Sequence, residues 1–135
     1  MRSLSIKKQH YVGNHVSIGE TMHELAITLM KVSNVSEAIS YYESALTIYE
    51  KSLKAHKLTV NVLDSLGEIH LSELNLNTSY RHLERALVFK KILFGDDNVA
   101  LSDTLYLIGK VQGKSGDIDD ALDSLKEGTF YIHKR

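Results

Sequence analysis

The chain has 135 residues, of which 43% are hydrophobic, so it is long enough to bury one core without disulfides or bound metals. The 16 basic and 17 acidic side chains give a net charge of −1, so no charge excess steers the chain toward nucleic acid or an anionic membrane. Cysteine and proline are absent, which excludes disulfides and thiolate metal sites and lets helices run uninterrupted between turns made by Gly, Asn, Asp or Ser.

The first residues predict a short helix over residues 2–11, followed by a break at Gly13-Asn14. They contain no secretory signal, and no later segment approaches the ~18 consecutive apolar residues of a membrane span, so we expect a cytoplasmic protein. A second helix is predicted from Val16 to about Lys31. Its inward stripe follows helical spacing and comprises Met22, Leu25, Ala26 and Leu29.

The turn after this helix is predicted at Ser33-Asn34-Val35-Ser36. Ser36 is expected to cap the partner helix, because its hydroxyl suits the free N–H groups there and Glu37 complements the helix dipole. The partner helix should run from about Glu37 to Leu53. Its inward residues are again three or four apart and comprise Ala38, Ile39, Tyr42, Ala45, Leu46 and Tyr49.

The second unit begins near Lys57 with an inward stripe of Leu63, Leu66, Gly67 and His70. The turn Asn75-Leu76-Asn77-Thr78 leads to a helix marked by Tyr80, Leu83, Ala86, Leu87 and Phe89. The stretch Gly95-Asp96-Asp97-Asn98 predicts a stop and a new cap, with Gly95 in a left-handed conformation. The third unit should run from Val99 to about His133 around the turn Lys114-Ser115-Gly116-Asp117.

One frame recurs through the chain. The stretch from Leu105 to Gly128 reads as helix, turn and helix, and the same frame returns when 42 and then 41 are subtracted from its positions. The small residues align as Ala121 with Ser79 and Ala38, Gly128 with Ala86 and Ala45, and Gly109 with Gly67 and Ala26. Small residues at these places let the two helices of a hairpin approach closely. The predicted segments are a tail helix of an incomplete repeat over 1–12 and repeats over 13–54, 55–94 and 95–135.

This pattern of large and small residues resembles the tetratricopeptide repeat. The matching residues are Met22, Leu25, Ala26, Leu29, Ala38, Tyr42 and Ala45; then Leu63, Leu66, Gly67, His70, Ser79, Leu83 and Ala86; then Leu105, Ile108, Gly109, Gln112, Ala121, Leu125 and Gly128. The period exceeds the usual ~34 residues and the terminal proline is missing, which is similar to the kinesin light chain-like subclass. The resemblance implies an all-α fold, a right-handed α-solenoid of antiparallel helix hairpins, whose concave groove is lined by the first helix of each repeat.

The resemblance further implies that a second stripe on each first helix faces the groove and binds a peptide or a partner helix. The candidates are Glu20, His23, Ile27, Lys31, Asn61, Asp64, Glu68, Ser72, Asp103, Tyr106, Lys110 and Lys114. The alternative interpretation is a solvated polar face. The family's carboxylate clamp needs Lys, Asn and Arg at several of these places, and this set does not supply that combination. Asp64 and Glu68 at the centre instead favour a ligand with basic or amide groups.

Catalysis, cofactors and metals are not indicated. The stretch Gly113-Lys114-Ser115-Gly116 lacks the earlier glycine of a phosphate loop, and a helix precedes it instead of a strand. The acidic run 117–120 fits a helix N-terminus better than a calcium loop. No two of the seven histidines have the i, i+4 spacing of a metal site. His15 and His56 occupy equivalent positions between repeats, which predicts a structural role, and His70 is predicted to be a hydrogen-bonded core residue.

These observations predict a non-catalytic scaffold that binds a protein or peptide partner, without nucleic acid or membrane. The alternative is a sensory or regulatory segment of a larger enzyme or signalling ATPase whose catalytic domain is absent from this chain. The chain begins inside a half-repeat and ends without a polar capping helix, which favours a fragment of a longer array. Uncapped solenoid ends expose apolar surface, so self-association through them is a further expectation.

Overall fold

A computed structural model describes residues 4–96, 99–116 and 123–127, with side chains from His15 onward. The regular structure of these residues is helical throughout: α1 (Leu4–Lys31), α2 (Val35–Ser52), α3 (Lys57–Ser72), α4 (Leu76–Phe94) and α5 (Ala100–Lys114), with residues 123–127 also helical. The chain forms two compact units, Met1–Lys54 and Ala55–Arg135.

In the first unit α1 and α2 pack as an antiparallel hairpin. Its core contains the predicted residues Ala26, Ala38, Tyr42, Ala45, Leu46 and Tyr49, all of them buried. Gly19, which the repeat frame did not single out, is also buried in this hairpin. A Cβ added there would lie 2.9 Å from Cε1 of Tyr49, so a side chain at this position would have to displace the edge of the Tyr49 ring.

Three predictions about the first unit are wrong. The helix does not break at Gly13-Asn14, because α1 runs continuously from Leu4 to Lys31; Gly and Asn cost a helix interior only about 1 kcal/mol or less each. Ser36 does not cap α2, since the helix already begins at Val35 with Asn34 as its N-cap. Leu25 does not lie in the core but is 43% exposed.

The second unit begins with the hairpin of α3 and α4, on which α5 packs. One cluster of its core contains Leu71, Leu83, Ile108 and Val111, and a second contains Leu101 and Leu105, with Leu87 packed against both. The predicted inward residues of α3 are all buried, including the imidazole of His70. Gln112 of α5 accepts a hydrogen bond at Oε1 from the hydroxyl of Ser124 at 2.7 Å, which ties the helical residues 123–127 to α5.

The predicted close approach of the hairpin helices is confirmed where it can be seen. A Cβ added to Gly67 of α3 would lie 2.5 Å from both Cγ and Cδ2 of Leu83 on α4. The hydroxyl of Ser79, also on α4, donates to the carbonyl oxygen of Gly67 at 2.6 Å. Ala86 is fully buried at the same crossing. The equivalent Ala121 and Gly128 of the third repeat lie outside the described residues.

The turns after α1, α3 and α5 repeat one geometry, with a residue of positive φ two positions beyond each helix: Ser33, Leu74 and Gly116. After α1, the Ser33 N–H bonds to the Met30 carbonyl and the Asn34 N–H to the Leu29 carbonyl. Leu74 and Asn75 make the equivalent pair of bonds after α3. This is a Schellman motif, which satisfies the free carbonyl groups at a helix end.

Gly95 ends α4, and its N–H bonds to the carbonyl of Lys91 at 2.9 Å, so the predicted helix stop is confirmed. Its φ of +76° is positive, but its ψ of 179° is extended, so the predicted left-handed conformation is wrong. Asp97 and Asn98 of the predicted cap lie outside the described residues, as does the predicted cap at Asp117. The helix α5 begins at Ala100.

Candidate functional site

The predicted groove residues of α1 differ in exposure. Glu20 and Lys31 are exposed and Ile27 is half-buried. His23 is half-buried against α2, where its ring packs edge-on to Tyr42 at 5.7 Å and to Tyr49 at 6.1 Å between centroids. Burial lowers the pKa of His23, although the nearby Glu24 carboxylate opposes the shift. His23 therefore contributes to hairpin packing, and less of its ring is accessible to a binding partner than the prediction assumed.

Tyr49, the second ring in this contact, is fully buried. Burial raises its pKa to about 12, and the carboxylates of Glu20 and Glu24 add to this rise. Its hydroxyl has no hydrogen-bond partner among the described residues. The phenol is therefore held in its neutral form and acts through packing.

On α3 the predicted residues Asn61, Glu68 and Ser72 are exposed. Asp64 behaves differently, because one of its carboxylate oxygens lies 2.8 Å from the ammonium nitrogen of Lys90 on α4. Its other oxygen accepts a hydrogen bond from the hydroxyl of Thr104 on α5 at 3.0 Å. Asp64 therefore makes its polar contacts inside the unit. Of the two predicted carboxylates, Asp64 and Glu68, it is Glu68 that remains exposed to a ligand.

Lys90 lies at the centre of this network. Its side chain is only 7% exposed, and its ammonium group donates to the Thr104 hydroxyl at 2.6 Å and to the Ala100 carbonyl at 3.0 Å. A buried ammonium is tolerated only when a counter-charge and acceptors surround it. The network joins α3, α4 and α5 and fixes the helices that carry the exposed candidates.

The four candidates of α5, Asp103, Tyr106, Lys110 and Lys114, are all exposed. Tyr106 is 55% exposed, and the ammonium of Lys110 lies 5.3 Å from its ring centroid, within the range of a cation–π contact. A large aromatic ring held in place by a neighbouring cation, yet open to solvent, is a suitable anchor for a protein partner.

The repeat frame places His23, Asp64 and Tyr106 at one equivalent position, 41 and 42 residues apart. In the first two repeats this side chain contacts a residue of the second helix 26 positions later, Tyr49 or Lys90. The corresponding residue in the third repeat, Ile132, lies outside the described residues. The second stripe is therefore no uniform groove surface, since two of its members pack within their own hairpins.

Lys90 and Thr104 were not predicted from the sequence. The signal for Lys90 was present, because it follows Leu83 by seven residues and Ala86 by four on the inward stripe of α4. A lysine at an apolar position of an amphipathic helix indicates a buried counter-charge. The repeat pattern of small and large residues does not identify Lys90, because the equivalent residue in the first repeat is the aromatic Tyr49.

More than half of this chain matches a known protein family. The family model described as Tetratricopeptide repeat matches residues 17–87, which is more than half of the chain. The chain belongs to the tetratricopeptide repeat family. Repeats of this family are generally protein–protein interaction modules and typically non-catalytic scaffolds. A comparison with curated protein sequences finds no match.

Solved structures share the tetratricopeptide fold. BtubC (BKLC) from P. vanneervenii has 20% sequence identity and a TM-score of 0.81, over 97% of this chain and 54% of that protein. A kinesin light chain-like protein of nearly identical TPR-like repeats from Podosopora anserina has 16% identity and a TM-score of 0.72, over 85% and 55%. A variant of the latter protein has 17% sequence identity and a TM-score of 0.75, over 89% of this chain and 57% of that protein. The predicted all-α, kinesin light chain-like fold is thus confirmed, and this chain spans a little over half the length of these proteins.

The histidines of the tetratricopeptide repeats have structural surroundings. Nδ1 of His56 accepts the N–H of Leu58 at 3.1 Å and so caps α3, as its predicted structural role requires, whereas His15 lies inside the continuous α1. Nδ1 of His70 lies 3.4 Å from Nδ2 of Asn75, and the His70 ring stacks on that of His82 at 5.7 Å. The prediction of a hydrogen-bonded core histidine at position 70 is confirmed.

Other kinds of site find no support in the part of the chain described. No group of three or more His, Asp or Glu side chains there could hold a metal ion. None of the helices in the same residues has the length and apolar character needed to cross a membrane. Gly113 and Lys114 form the last residues of α5, so a helix precedes the GKSG stretch, as predicted.

Proposed function

We propose that this tetratricopeptide repeat chain is a protein-interaction module that binds an extended peptide or a partner helix on the exposed faces of α3 and α5. The single observation that carries this proposal is the exposed ring of Tyr106 beneath the Lys110 ammonium. Tyrosine is enriched at interfaces because its ring buries a large area while its hydroxyl stays hydrated or bonded. The family supplies the general role, and these residues supply its proposed location.

The rigidity of the second unit supports this role. The Asp64–Lys90–Thr104 network ties α3 to α5 through side chains that are largely removed from water. A surface whose helices are already fixed loses little conformational entropy when a ligand binds. We therefore expect binding without a large change in the fold of this unit.

The charges favour a ligand with separated polar groups. Glu68 on α3 is exposed and suits a basic or amide group, as predicted for this position. Lys110 and Lys114 on α5 are exposed cations that suit an acidic group. Asp64 is omitted from the proposed ligand contacts because Lys90 already neutralises it.

The experiment is a selection of binding peptides from a random 12-residue display library on the intact chain, followed by affinity measurement with the best peptide. The test variant carries Tyr106→Ala and Lys110→Glu. The matched control carries Val88→Ala and Arg85→Glu on α4, since Val88 is 53% exposed and the charge change is the same. We expect at least a tenfold loss of affinity in the test variant and less than a threefold loss in the control.

Equal binding by parent and test variant, with loss in the control, would place the ligand on the outer face of α4 and contradict the proposal. Circular dichroism of both variants must match the parent, so that loss of binding does not report loss of fold. The regulatory role within a larger enzyme, the cytoplasmic location and the absence of nucleic-acid or membrane binding stay predictions.

A further inference from the structure

The outer face of α4 carries a row of four exposed residues that we name the α4 stripe: Arg81, Arg85, Val88 and Ile92. Val88 is 53% and Ile92 66% exposed. At 3.6 residues per helical turn, the four positions fall within roughly 60° of one another. The buried residues of α4 lie on the opposite side of the helix, where α3 and α5 pack, so these two helices leave the stripe uncovered.

The first repeat has no such surface at the equivalent positions. These lie on α2, 41 residues earlier, and all of them are exposed: Ser40, Ser44, Thr47 and Lys51. The hydroxyl of Thr47 bonds back to the carbonyl oxygen of Glu43 at 3.0 Å, as on an ordinary solvated helix face. The repeat pattern therefore does not prescribe the arginines and large aliphatic side chains of the α4 stripe.

A groove on this face can receive an apolar side chain. Its volume is about 360 Å³, and it is lined by Glu84, Arg85, Val88 and Phe89. The guanidinium carbon of Arg85 lies 5.9 Å from the centroid of the Phe89 ring, within the range of a cation–π contact, which fixes one wall of the groove. Arginine and aromatic residues are enriched at protein interfaces and among their hot spots.

The spacing along the α4 stripe favours a helical partner. Successive members are four, three and four residues apart. This alternation is that of a seam along which two helices pack, with side chains of one fitting between those of the other. The stripe spans roughly three turns of α4, so a facing helix of about the same length can cover it.

The charge of this face favours an acidic partner. The exposed ionisable residues of α4 are Arg81, Glu84, Arg85 and Lys91. The buried ammonium of Lys90 adds no net charge, because Asp64 neutralises it. The outer face is therefore net positive, although the whole chain has a net charge of −1, and both arginines lie on the stripe itself. Arginine binds carboxylates through two parallel hydrogen bonds.

A lipid surface and a nucleic acid fit this face less well than a protein helix does. A helix that lies on a membrane needs a broad apolar face, whereas Val88 and Ile92 form a narrow one that Glu84 borders. Binding to phosphates depends on many cations, and the stripe presents two. An acidic helix with an apolar end matches both halves of the stripe.

We propose that the α4 stripe is the docking site of an acidic amphipathic helix of a partner protein. Two carboxylates of that helix bind Arg81 and Arg85, and two aliphatic side chains pack on Val88 and Ile92, one of them entering the groove beside Phe89. Such an interface is smaller than a standard one, so the binding is weak. This inference does not depend on the peptide-binding surface of α3 and α5.

The experiment is fluorescence anisotropy of labelled helical probes of about 21 residues, or three heptads, titrated with the intact chain to about 1 mM. Two acidic probes carry Glu, Glu, Leu and Leu at seam positions spaced as in the stripe, one in this order and one reversed, with neutral helix formers elsewhere. The two orders represent a parallel and an antiparallel partner. At least one acidic probe should bind, and its counterpart with Lys in place of Glu should bind at least about tenfold more weakly.

Variants of the chain test both halves of the stripe. The double variant Arg81→Glu with Arg85→Glu should weaken the acidic probe at least about tenfold and strengthen the basic one. Ile92→Ser should weaken both kinds of probe. The variant Tyr106→Ala with Lys110→Glu should bind the acidic probe as the parent does, which separates this site from the proposed peptide-binding surface.

The matched controls carry the same kinds of change in the first unit. Lys31→Glu with Lys51→Glu reverses two exposed cations, and Val32→Ser removes an aliphatic side chain that is 69% exposed. Both controls should bind the acidic probe within about twofold of the parent. Circular dichroism of each variant must match the parent, so that lost binding does not report lost fold.

The absence of binding by either acidic probe at the highest concentration overturns the proposal. Equal binding of acidic and basic probes also overturns it, as does acidic binding that survives both Ile92→Ser and the double arginine variant. Phosphatidylserine vesicles and duplex DNA are tested in parallel. If either binds through the two arginines while the acidic probes do not, the face serves a different class of partner and the proposal is wrong.

Discussion

The same position in the repeat holds different chemistry in the two units. In the first, His23 packs edge-on against Tyr49, and in the second, Asp64 forms an ion pair with Lys90. The two pairs are related by a shift of 41 residues. An aromatic contact therefore occupies the place in one hairpin that a charged network occupies in the other.

The difference shows what the repeat frame prescribes and what it leaves open. The frame requires that a side chain of the first helix meet one of the second helix at this crossing. It does not fix the polarity of the contact, because either packed rings or a paired charge can fill the space. The charged contact also involves a third helix, because the Thr104 hydroxyl and the Ala100 carbonyl on α5 accept hydrogen bonds from the Lys90 ammonium.

The largest effect is expected from Asp64→Ala, which leaves the buried ammonium of Lys90 without its counter-charge. We expect the free energy of unfolding to fall by about 3 kcal/mol, from urea denaturation followed by circular dichroism. The equivalent His23→Ala in the first unit should cost about 1 kcal/mol, because only a half-buried aromatic contact is lost.

Two variants sharpen this prediction. Glu68→Ala removes an exposed carboxylate from the same helix and should change stability by less than about 0.5 kcal/mol. The double variant Asp64→Leu with Lys90→Met replaces the ion pair by apolar side chains and should recover most of the loss. If Asp64→Ala were as mild as Glu68→Ala, the network would contribute nothing to the stability of the unit.

The helix crossings offer a second comparison. Gly67→Ala places a methyl group 2.5 Å from Cγ of Leu83, a branched atom near the backbone, and we expect a net loss of about 2 kcal/mol. Gly19→Ala meets Cε1 of Tyr49 at 2.9 Å, and the higher helix propensity of alanine offsets more of that smaller overlap. Its loss should stay below about 1 kcal/mol. Thermal unfolding of both variants measures the difference, and equal losses would contradict this ranking.

The sequence predicted the hairpins and their crossings because these recur with one period. Ala38 and Ser79 occupy one equivalent position and Ala45 and Ala86 another, and all four are buried. The period carries information only about features that every repeat shares. Lys90 and Gly19 each belong to one repeat alone, so the frame missed both, although both decide local packing.

The prediction of the binding site has the same limitation of relying on the repeat period. Members of the second stripe were chosen for their equivalence, and equivalence does not report what each side chain contacts. Asp64 and Tyr106 share a register, but the first is neutralised by Lys90 and the second is open to solvent.

Substitutions in the turns after α3 and α5 should change the stability less, and in opposite directions. Leu74 has φ +63° and is 66% exposed, so Leu74→Gly relieves backbone strain with little lost packing and should stabilise the chain by about 1 kcal/mol. Gly116 occupies the equivalent place with φ +89°, and Gly116→Ala should destabilise by a similar amount, although no atom stands within 4 Å of the added Cβ. Urea midpoints of the two variants should move in opposite directions, and a shared direction would contradict a backbone origin.

The smallest expected effect is on pH dependence, and it again compares the two units. In the second unit, burial lowers the pKa of His82, and the charges of His70 and Arg81 lower it further. Its Nδ1 is buried and has no hydrogen-bond partner among the described residues. Folding therefore favours the neutral ring. Since the unfolded chain takes up the proton below pH ~6.5, this contribution to stability is lost as the pH falls below that value.

His23 of the first unit has a lowered pKa for the same principal reason, but the carboxylate of Glu24 opposes the shift. Urea denaturation at pH 7 and pH 5 should show that His82→Gln reduces the loss of stability on acidification more than His23→Gln does. The parent and both variants contain the same carboxylates, so comparing the three cancels the carboxylate contribution to the pH dependence. A parent and a His82→Gln variant that lose equal stability would show that protonation of His82 does not oppose folding.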